Sequence, residues 1–292
     1  MSLFPKILLT GANGFLGSHL FNALLKKGYE VVILKRSSSN IFRIQDNINS
    51  VITYDIDTQP LEKAFIEQKI DIVIHTAGRY GRDNCSIEKM IETNVIFGLK
   101  LLSFCKKYNI NTFINTDTLL QSSVNNYSLS KRHFSDWLKQ SSDGVQIINL
   151  KLEHMYGMKD DNNKFVAWTL SQLKNNVAEI KLTLGEQKRD FVYVSDVVSA
   201  VLILLNKNKD LPEFSEFELG FGQLISVREF VERMHYFYKK FNSKSQTKLL
   251  FGATPYRKNE VMSISADITK LKKIGWEPMV SLDEGLSIIV QE

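Results

Sequence analysis

The sequence predicts a doubly wound α/β fold, a parallel sheet flanked by helices, with a smaller C-terminal lobe. Three observations carry that reading. A glycine-rich turn, Thr10-Gly11-Ala12-Asn13-Gly14-Phe15-Leu16-Gly17, separates the apolar run Ile7-Leu8-Leu9 from a helix beginning near Ser18. Apolar strands then alternate with amphipathic helices, the pattern of a parallel sheet covered on both faces. From about Glu153 this rhythm weakens, and the polar run Lys159 to Lys164 and the loop Asp210-Leu211-Pro212 interrupt it. Residues 1–152 are therefore assigned to the sheet domain, with 186–208 returning to it. Residues 153–185 and 209–292 mainly form the second lobe.

The turn is the first element to justify. Its glycines let the chain leave a strand tightly, approach a pyrophosphate without a Cβ in the way, and pack a helix on the sheet. The helix N-terminus adds free N–H groups and the positive end of a dipole. Gly11, Asn13, Gly14, Phe15, Leu16 and Gly17 are thus candidate cofactor-binding residues of a Rossmann fold. The amphipathic stretch Ser18 to Lys27 ends at Gly28, and Val31-Val32-Ile33-Leu34 is the second strand.

That strand runs into Lys35-Arg36, where an NAD-preferring fold usually carries an acid for the adenosine ribose. Two cations there suit a 2′-phosphate and favour NADP, although basic residues at a strand end also serve simply as solvated loop charges. Val51 to Tyr54 is β-rich, and Asp55-Ile56 closes it as either an adenine contact or a plain turn. Leu61 to Gln68 reads as helix. Asp71 to His75 is a strand entering the loop Thr76-Ala77-Gly78. A long helix over about 86–108, the strand Thr112 to Asn115, a helix over about 126–141 and the strand Gln146 to Leu150 follow.

Tyr127-Ser128-Leu129-Ser130-Lys131 places a phenol and an ammonium four residues apart on one helix face. Such a lysine stabilises a phenolate and is expected to lower the tyrosine pKa, although this spacing also occurs by accident on surface helices. The pair follows Thr116-Asp117-Thr118, which leaves the fourth predicted strand at the end where doubly wound sheets bind ligands. Thr116 and Thr118 share a face if the strand continues that far. Either hydroxyl can hold a carbonyl oxygen for Tyr127.

Composition bounds the rest. A chain of 292 residues with 43% hydrophobic content buries a sizeable core. Cys85 and Cys105 supply neither a disulfide framework nor a paired metal spacing, so free thiols and no metal are expected. No apolar run reaches spanning length, and the segment before the first strand carries no signal-peptide pattern, which reads as a soluble cytoplasmic protein without a membrane partner. The net charge of +5 is modest. Its densest patch, Lys239, Lys240, Lys244 and Lys248, lacks interleaved aromatics and reads as a solvated face rather than a nucleic-acid surface.

The TGxxGxxG turn, the hydroxyl after the fourth strand and the YxxxK helix together resemble the extended short-chain dehydrogenase/reductases that act on nucleotide-sugars. Gly11, Gly14, Gly17, Thr118, Tyr127 and Lys131 meet that pattern. His75-Thr76-Ala77-Gly78 resembles the family's loop beside the cofactor, Asn94 its helix asparagine, Gly185 to Asp196 its GxxxRDFVYVxD segment, and Gly275-Trp276-Glu277-Pro278 its GWxP ending. Leu119-Leu120-Gln121 stands where the common epimerase and dehydratase branches carry VYG, and the Asp-Glu pair of dehydratases is missing. Asn115 to Thr118, Ser130 to Phe134, Leu152 to Gly157 and Gly185 to Phe191 are similar to segments of the CDP-abequose and CDP-paratose synthase branch.

The resemblance implies NADPH-dependent reduction of the C4 keto group of a nucleotide-diphospho-4-keto-6-deoxy or 3,6-dideoxyhexose, CDP- or dTDP-linked, in deoxysugar biosynthesis for a surface polysaccharide. It implies that Thr118, with Thr116 in reserve, positions the oxygen, that Tyr127 gives the proton, and that Lys131 grips the nicotinamide ribose. It implies that Arg189 meets the nucleotide diphosphate, with Arg257 and Glu260 nearby; a salt bridge between lobes is the plainer role for Arg189. Arg79, Glu153, His154, Lys164 and Phe165 belong to the implied substrate contacts, and His154 equally suits a hydrogen-bonded core position. The helices over 86–108 and 126–141 look like the family's homodimer pair, which forms a four-helix bundle. An NAD-dependent 4-epimerase and a non-catalytic NADP-binding protein are the competing readings.

Overall fold

The computed structural model describes residues 4–81 and 85–292. Its strands and helices divide between two compact units, Met1–Lys151 with Val201–Phe217, and Leu152–Ala200 with Glu218–Glu292.

In the first unit the chain runs β1 (Lys6–Thr10), α1 (Phe15–Lys26), β2 (Glu30–Lys35), β3 (Ile52–Asp55), α2 (Lys63–Glu67), β4 (Ile72–His75), α3 (Ile87–Ile91), α4 (Phe97–Lys107), β5 (Thr112–Thr118), α5 (Asn126–Gln140) and β6 (Gln146–Leu152). In the second come β7 (His154–Tyr156), α6 (Phe165–Lys174), β8 (Glu179–Leu182), β9 (Lys188–Arg189) and β10 (Phe191–Tyr193). Helix α7 (Val194–Lys207) and strand β11 (Phe214–Leu219) lead through the first unit, and β12 (Ile225–Ser226), α8 (Val227–Phe241), β13 (Lys248–Phe251), α9 (Thr269–Lys273) and α10 (Leu282–Val290) complete the chain.

The central sheet has seven strands in the order β11-β6-β5-β4-β1-β2-β3. Strands β3, β2, β1, β4 and β5 are parallel, with Thr10 beside both Leu34 and His75. The order reverses between β1 and β4, which makes their carboxyl ends a switch point where ligands of doubly wound sheets lie. Near-continuous apolar strands explain the parallel pairing, since both faces are covered. One face packs Leu8, Val32, Val73 and Phe113 against Leu101, Leu102, Phe134 and Leu138. At Gly98 a Cβ would lie 2.3 Å from the Phe134 ring, so α4 and α5 approach at a position only glycine fills.

Two elements differ from expectation in ways that matter below. The helix over 86–108 is interrupted by a π-helical turn, Glu92–Ile96, and β5 runs to Thr118 rather than stopping at Asn115. The segment returning to the sheet unit is Val201–Phe217, not 186–208. The reason is pairing: β9 lies antiparallel to β12 and β10 parallel to β7, all within the second unit.

The second unit has its own core. Phe191 stacks on Phe230 at 3.8 Å between centroids, and Tyr156 meets both edge-on. Trp276 is 1% exposed and its Nε1 donates to Ser199 Oγ at 2.9 Å. Phe230, Met234 and Tyr238 form the buried stripe of α8, whereas Tyr236 is 55% exposed and off the core face, because it falls out of the i, i+4 row. Among the described residues, no helix is long and apolar enough to cross a membrane.

Candidate functional site

The glycine turn sits at the switch point. Gly14 N–H donates to Gly11 O at 2.9 Å, and Gly11 holds φ of +71°. A Cβ at Gly11 would lie 2.7 Å from Ala77 N, and one at Gly17 would lie 2.0 Å from Gly11 O, so neither position admits a side chain. Helix α1 begins after Gly14 without a side-chain cap, which leaves first-turn N–H groups for an anion. Phe15 and Leu16 point their side chains into the core, so they can offer a ligand only backbone. The uncapped turn and its Cβ-free cradle fit a dinucleotide pyrophosphate.

Strand β4 secures this turn from the side. Thr76 Oγ1 donates to Thr10 O at 2.8 Å, Ala77 N–H donates to Thr10 Oγ1 at 3.3 Å, and Thr10 Oγ1 shares a hydrogen bond with His75 Nδ1 at 2.8 Å. His75 is fully buried among the rings of Phe97, Phe113 and Phe134. Burial first, and the Lys131 charge second, lower its pKa to about 3, so the imidazole is neutral. Gly78 is exposed at the end of this loop.

At the end of β2, Lys35 is ion-paired to Asp55, its register partner on β3. Ile56 N–H donates to Lys35 O at 2.9 Å. The predicted adenosine-end residues are therefore adjacent, but the Lys35 ammonium and the Asp55 carboxylate engage each other. Arg36 is exposed, with its N–H donating to Ser39 Oγ at 3.3 Å. The structure adds Arg43, whose Nη1 donates to Asn13 O at 3.2 Å and whose guanidinium lies 4.5 Å from the Phe42 centroid. Sequence reasoning missed Arg43 because it lies in an irregular segment eight residues beyond the strand.

The candidate catalytic residues lie at the end of β5 and the start of α5. Thr116 is buried, and its Oγ1 donates to His75 O at 3.1 Å. Thr118 is half-exposed at the strand end, and its Oγ1 accepts from Leu120 N–H at 3.2 Å. Between them Asp117 turns inward: Oδ1 accepts from Thr118 N–H at 2.8 Å and Oδ2 from Asn149 Nδ2 at 3.1 Å. Burial raises the Asp117 pKa, and the Lys131 charge pulls it down. Lys131 is buried on α5; burial lowers its pKa and Asp117 raises it, so these two charges are each other's counterions.

Helix α5 starts in a capping box, with Asn125 Oδ1 accepting from Ser128 N–H at 2.9 Å, which fixes where Tyr127 falls. The expected lowering of the Tyr127 pKa is not what the structure gives. Burial first, then Tyr80 and Asp117, hold the phenol well above its ordinary range. A neutral phenol is a proton donor.

Asn94 lies in the π-helical turn, a feature often found at functional positions. Its Oδ1 accepts from Arg79 N–H at 2.7 Å, and its Nδ2 donates to Arg79 O at 3.0 Å and to Ser130 Oγ at 2.9 Å. Arg79 Nη1 lies 3.8 Å from Cys85 Sγ.

The second unit carries the remaining candidates. Arg189 is buried, and its Nη2 pairs with Glu260 Oε1 at 2.5 Å within the same unit. Burial lowers its pKa while Glu260 and then Glu153 raise it. Glu153 is buried and its Oε1 pairs with His154 Nδ1 at 2.8 Å, leaving an exposed imidazole edge-on to Phe191. His154 is thus not the core histidine the sequence left open. Lys164 Nζ is bonded to Asp160 Oδ1 at 2.7 Å at the start of α6, where Phe165 is 39% exposed. Arg257 is exposed, in a turn closed by Glu260 N–H donating to Arg257 O at 3.1 Å.

A family model described as the NAD dependent epimerase/dehydratase family matches residues 7–220. CDP-abequose synthase of Salmonella typhimurium is 32% identical, over 98% of this chain and 97% of its own. A putative UDP-glucose 4-epimerase of Methanocaldococcus jannaschii is 26% identical over 97% of each chain. Among solved structures, UDP-glucose 4-epimerase of Thermotoga maritima, determined with UDP-glucose, superposes with a TM-score of 0.81 at 25% identity, over 98% of this chain and 97% of its own. The match runs from β1 past the Tyr127–Lys131 helix and Arg189, and one relative is alike over nearly its full length: the chain belongs to the NAD dependent epimerase/dehydratase family.

Proposed function

We propose that the chain is an NADPH-dependent 4-ketoreductase of a CDP- or dTDP-linked 4-keto-6-deoxy or 3,6-dideoxyhexose, a cytoplasmic enzyme of deoxysugar biosynthesis for a surface polysaccharide such as an O-antigen. The observation that carries this reading is the near full-length 32% identity with CDP-abequose synthase, supported by a neutral Tyr127 phenol poised to donate.

On this reading the first unit holds the cofactor. Gly11, Gly14, Gly17 and the N-terminus of α1 take the pyrophosphate, with Asn13, Phe15 and Leu16 contributing backbone. Asp55, Ile56 and Arg36 border the adenosine. Thr76, Ala77, Gly78, Asn94 and Thr116 shape the wall of the site, and Lys131 holds the nicotinamide ribose. When bound, the cofactor supplies the hydride for C4. Thr118 holds the ketone oxygen in place, and Tyr127 gives its proton to that oxygen as charge develops there.

The second unit mainly holds the nucleotide-sugar. Arg189 meets the diphosphate, its Glu260 partner setting the guanidinium's direction, while Glu153, His154, Lys164, Phe165 and Arg257 line the substrate, with Arg79 from the first unit.

The test offers NADPH, and separately NADH, with CDP- and dTDP-4-keto-6-deoxyglucose and the 3-deoxygenated CDP ketosugar. Substrate-dependent loss of NADPH that Tyr127→Phe abolishes supports the reductase and names the base. Folded protein that binds NADPH and turns over none of them overturns it. Similarity to 4-epimerases favours one other reading. An epimerase regenerates its cofactor, so the purified protein would release tightly held NAD on denaturation.

A homodimer is part of the same proposal. Ile87 and Ile91 on α3 and Leu129 and Trp137 on α5 are exposed, and a cavity between α4 and α5 is lined by Leu99, Leu102 and Trp137 together with Ser103, Lys106 and Ser141. A second copy of these helices covers that apolar face as a four-helix bundle.

A further inference from the structure

Asn149 on β6 is wholly buried, and its amide meets two carboxylates at once: Nδ2 lies 3.1 Å from Asp117 Oδ2 on β5 and 3.1 Å from Glu216 Oε2 on β11. Ser135 Oγ of α5, at 3.0 Å, is the third acceptor around the same nitrogen. The other end of the amide is occupied as well, since Oδ1 accepts from Asn115 Nδ2 at 2.7 Å. These partners fix which way the amide faces, because an oxygen turned toward two carboxylates would meet no hydrogen. Glu216 Oε1 in turn accepts from Lys151 Nζ at 2.6 Å, and both side chains are partly exposed beside the edge strand β11. Charges of alternating sign therefore run across three neighbouring strands, from Asp117, the counterion of Lys131, through the Asn149 amide to Glu216 and Lys151.

On the reductase reading, on which this inference rests, Asp117 serves the reaction twice. Its Oδ1 accepts from the Thr118 N–H at 2.8 Å, which fixes the strand end that carries the Thr118 hydroxyl, and its charge supports Lys131. Both effects need the carboxyl ionised and turned inward. A donor at Oδ2 favours the ionised form over the protonated one.

We propose that Asn149 is a positioning residue, whose amide holds the Asp117 carboxylate ionised and inward beneath Thr118 and Lys131, with the Glu216–Lys151 pair completing the arrangement from the sheet edge. Protonation of Asp117 releases Thr118 and Lys131 together, so the acid limb of kcat/KM is its titration. The charged and titratable groups around it are Lys131 and Tyr127 from α5, Lys151 from β6 and Glu216 from β11; His75 of β4, within reach of the Lys131 charge, is neutral, and Tyr80 lies against Tyr127. Burial raises the Asp117 pKa, whereas Lys131, the Asn149 bond, the Thr118 N–H and Lys151 lower it.

Asn149→Leu keeps the volume and removes the donor. The expected result is an Asp117 titration, followed by 13Cγ-aspartate NMR on the whole chain without substrate, that moves to higher pH by about one unit or more, and an acid limb of kcat/KM for the ketosugar that moves up with it. Lys151→Met, at a partly exposed position, keeps the buried amide and should move both in the same direction by less. A purely structural role for Asn149 would lower the urea midpoint and leave both titrations in place. An unmoved Asp117 titration in folded Asn149→Leu overturns the proposal; if that variant does not fold, an unmoved titration in Lys151→Met overturns it instead. A titration that moves without the acid limb overturns the link to the reaction. If the parent protein reduces none of the ketosugars, the reductase reading fails, and the substrate-free titration alone decides whether Asn149 holds the carboxylate.

Discussion

Thr116 Oγ1 donates to the carbonyl of His75 at 3.1 Å across β5 and β4. That bond engages the hydrogen of one of two similar hydroxyls, while Thr118, two residues on, stands half-exposed at the strand end. Thr118→Val is expected to lower kcat by roughly 10²–10³, the usual cost of one oxyanion donor. Thr116→Val should cost about 1 kcal/mol of stability and leave kcat within a fewfold of the parent. Steady-state kinetics with denaturant melts of both variants checks the pair, and the reverse ranking would exchange their roles.

The alkaline limit of activity should move with Asp117. Burial already lowers the Lys131 pKa, and Asp117 is the charge that raises it. The same carboxylate also raises the Tyr127 phenol. Asp117→Asn removes both effects, so Lys131 loses its charge and Tyr127 its proton at lower pH, and the high-pH limb of kcat/KM shifts to lower pH. A limb that stays in place or moves up would mean that Asp117 does not set these charges.

His75 should make the fold sensitive to acid. Its pKa falls from 6.5 to about 3 on folding, so the unfolded chain takes up a proton that the folded chain refuses. The stability it contributes is complete above about pH 6.5 and is lost as pH falls toward 3, at about 1.4 kcal/mol per pH unit. In His75→Asn the urea-melt difference between pH 7 and pH 5 should shrink accordingly. An equal difference in both proteins would remove His75 from the acid response.

The sheet, and the meeting of β5 and α5 where the candidate residues lie, were legible in the sequence for a simple physical reason. Apolar strand runs, the glycine turn and the Tyr127–Lys131 spacing are local patterns, and β5 extending to Thr118 puts Thr116 and Thr118 on one face, as their alternation allowed. What was not legible depends on long-range partners. The spacing of Tyr127 and Lys131 suggested a lowered phenol pKa, but the burial that reverses the outcome, with Tyr80 and Asp117 acting in the same direction, exists only once the chain is packed. The π-helical turn that places Asn94 left no mark in the apolar periodicity, and Arg43 reaches Asn13 from a segment without any periodicity at all.

Cofactor choice is expected to follow the arginines rather than Lys35. Lys35 is committed to Asp55, whereas Arg36 is exposed in the loop and Arg43 lies beside the glycine turn. A charge-assisted bond to phosphate is worth about 1.5–3 kcal/mol, so Arg36→Ala or Arg43→Ala should raise the NADPH KM by roughly 10- to 100-fold with little change for NADH. Lys35→Ala should raise it less. Equal losses for both cofactors in the arginine variants would argue that these side chains hold the loop rather than read the 2′-phosphate.

Trp137 gives the most direct handle on assembly. It is 53% exposed on α5, beside the cavity lined by Leu99 and Leu102 of α4, and Asp136, its neighbour in sequence, is already engaged by Arg132 at 2.9 Å. If a second copy buries this face, Trp137→Lys places a second cation beside Lys106, which lines the same cavity, and burying that unpaired charge in an interface costs several kcal/mol. Sedimentation velocity should then show a dimer for the parent and a monomer for the variant, with NADPH affinity preserved because the glycine turn lies on other elements of the sheet. A variant that sediments like a dimeric parent would place the interface elsewhere, and a monomeric parent would leave the apolar face without a second copy to cover it.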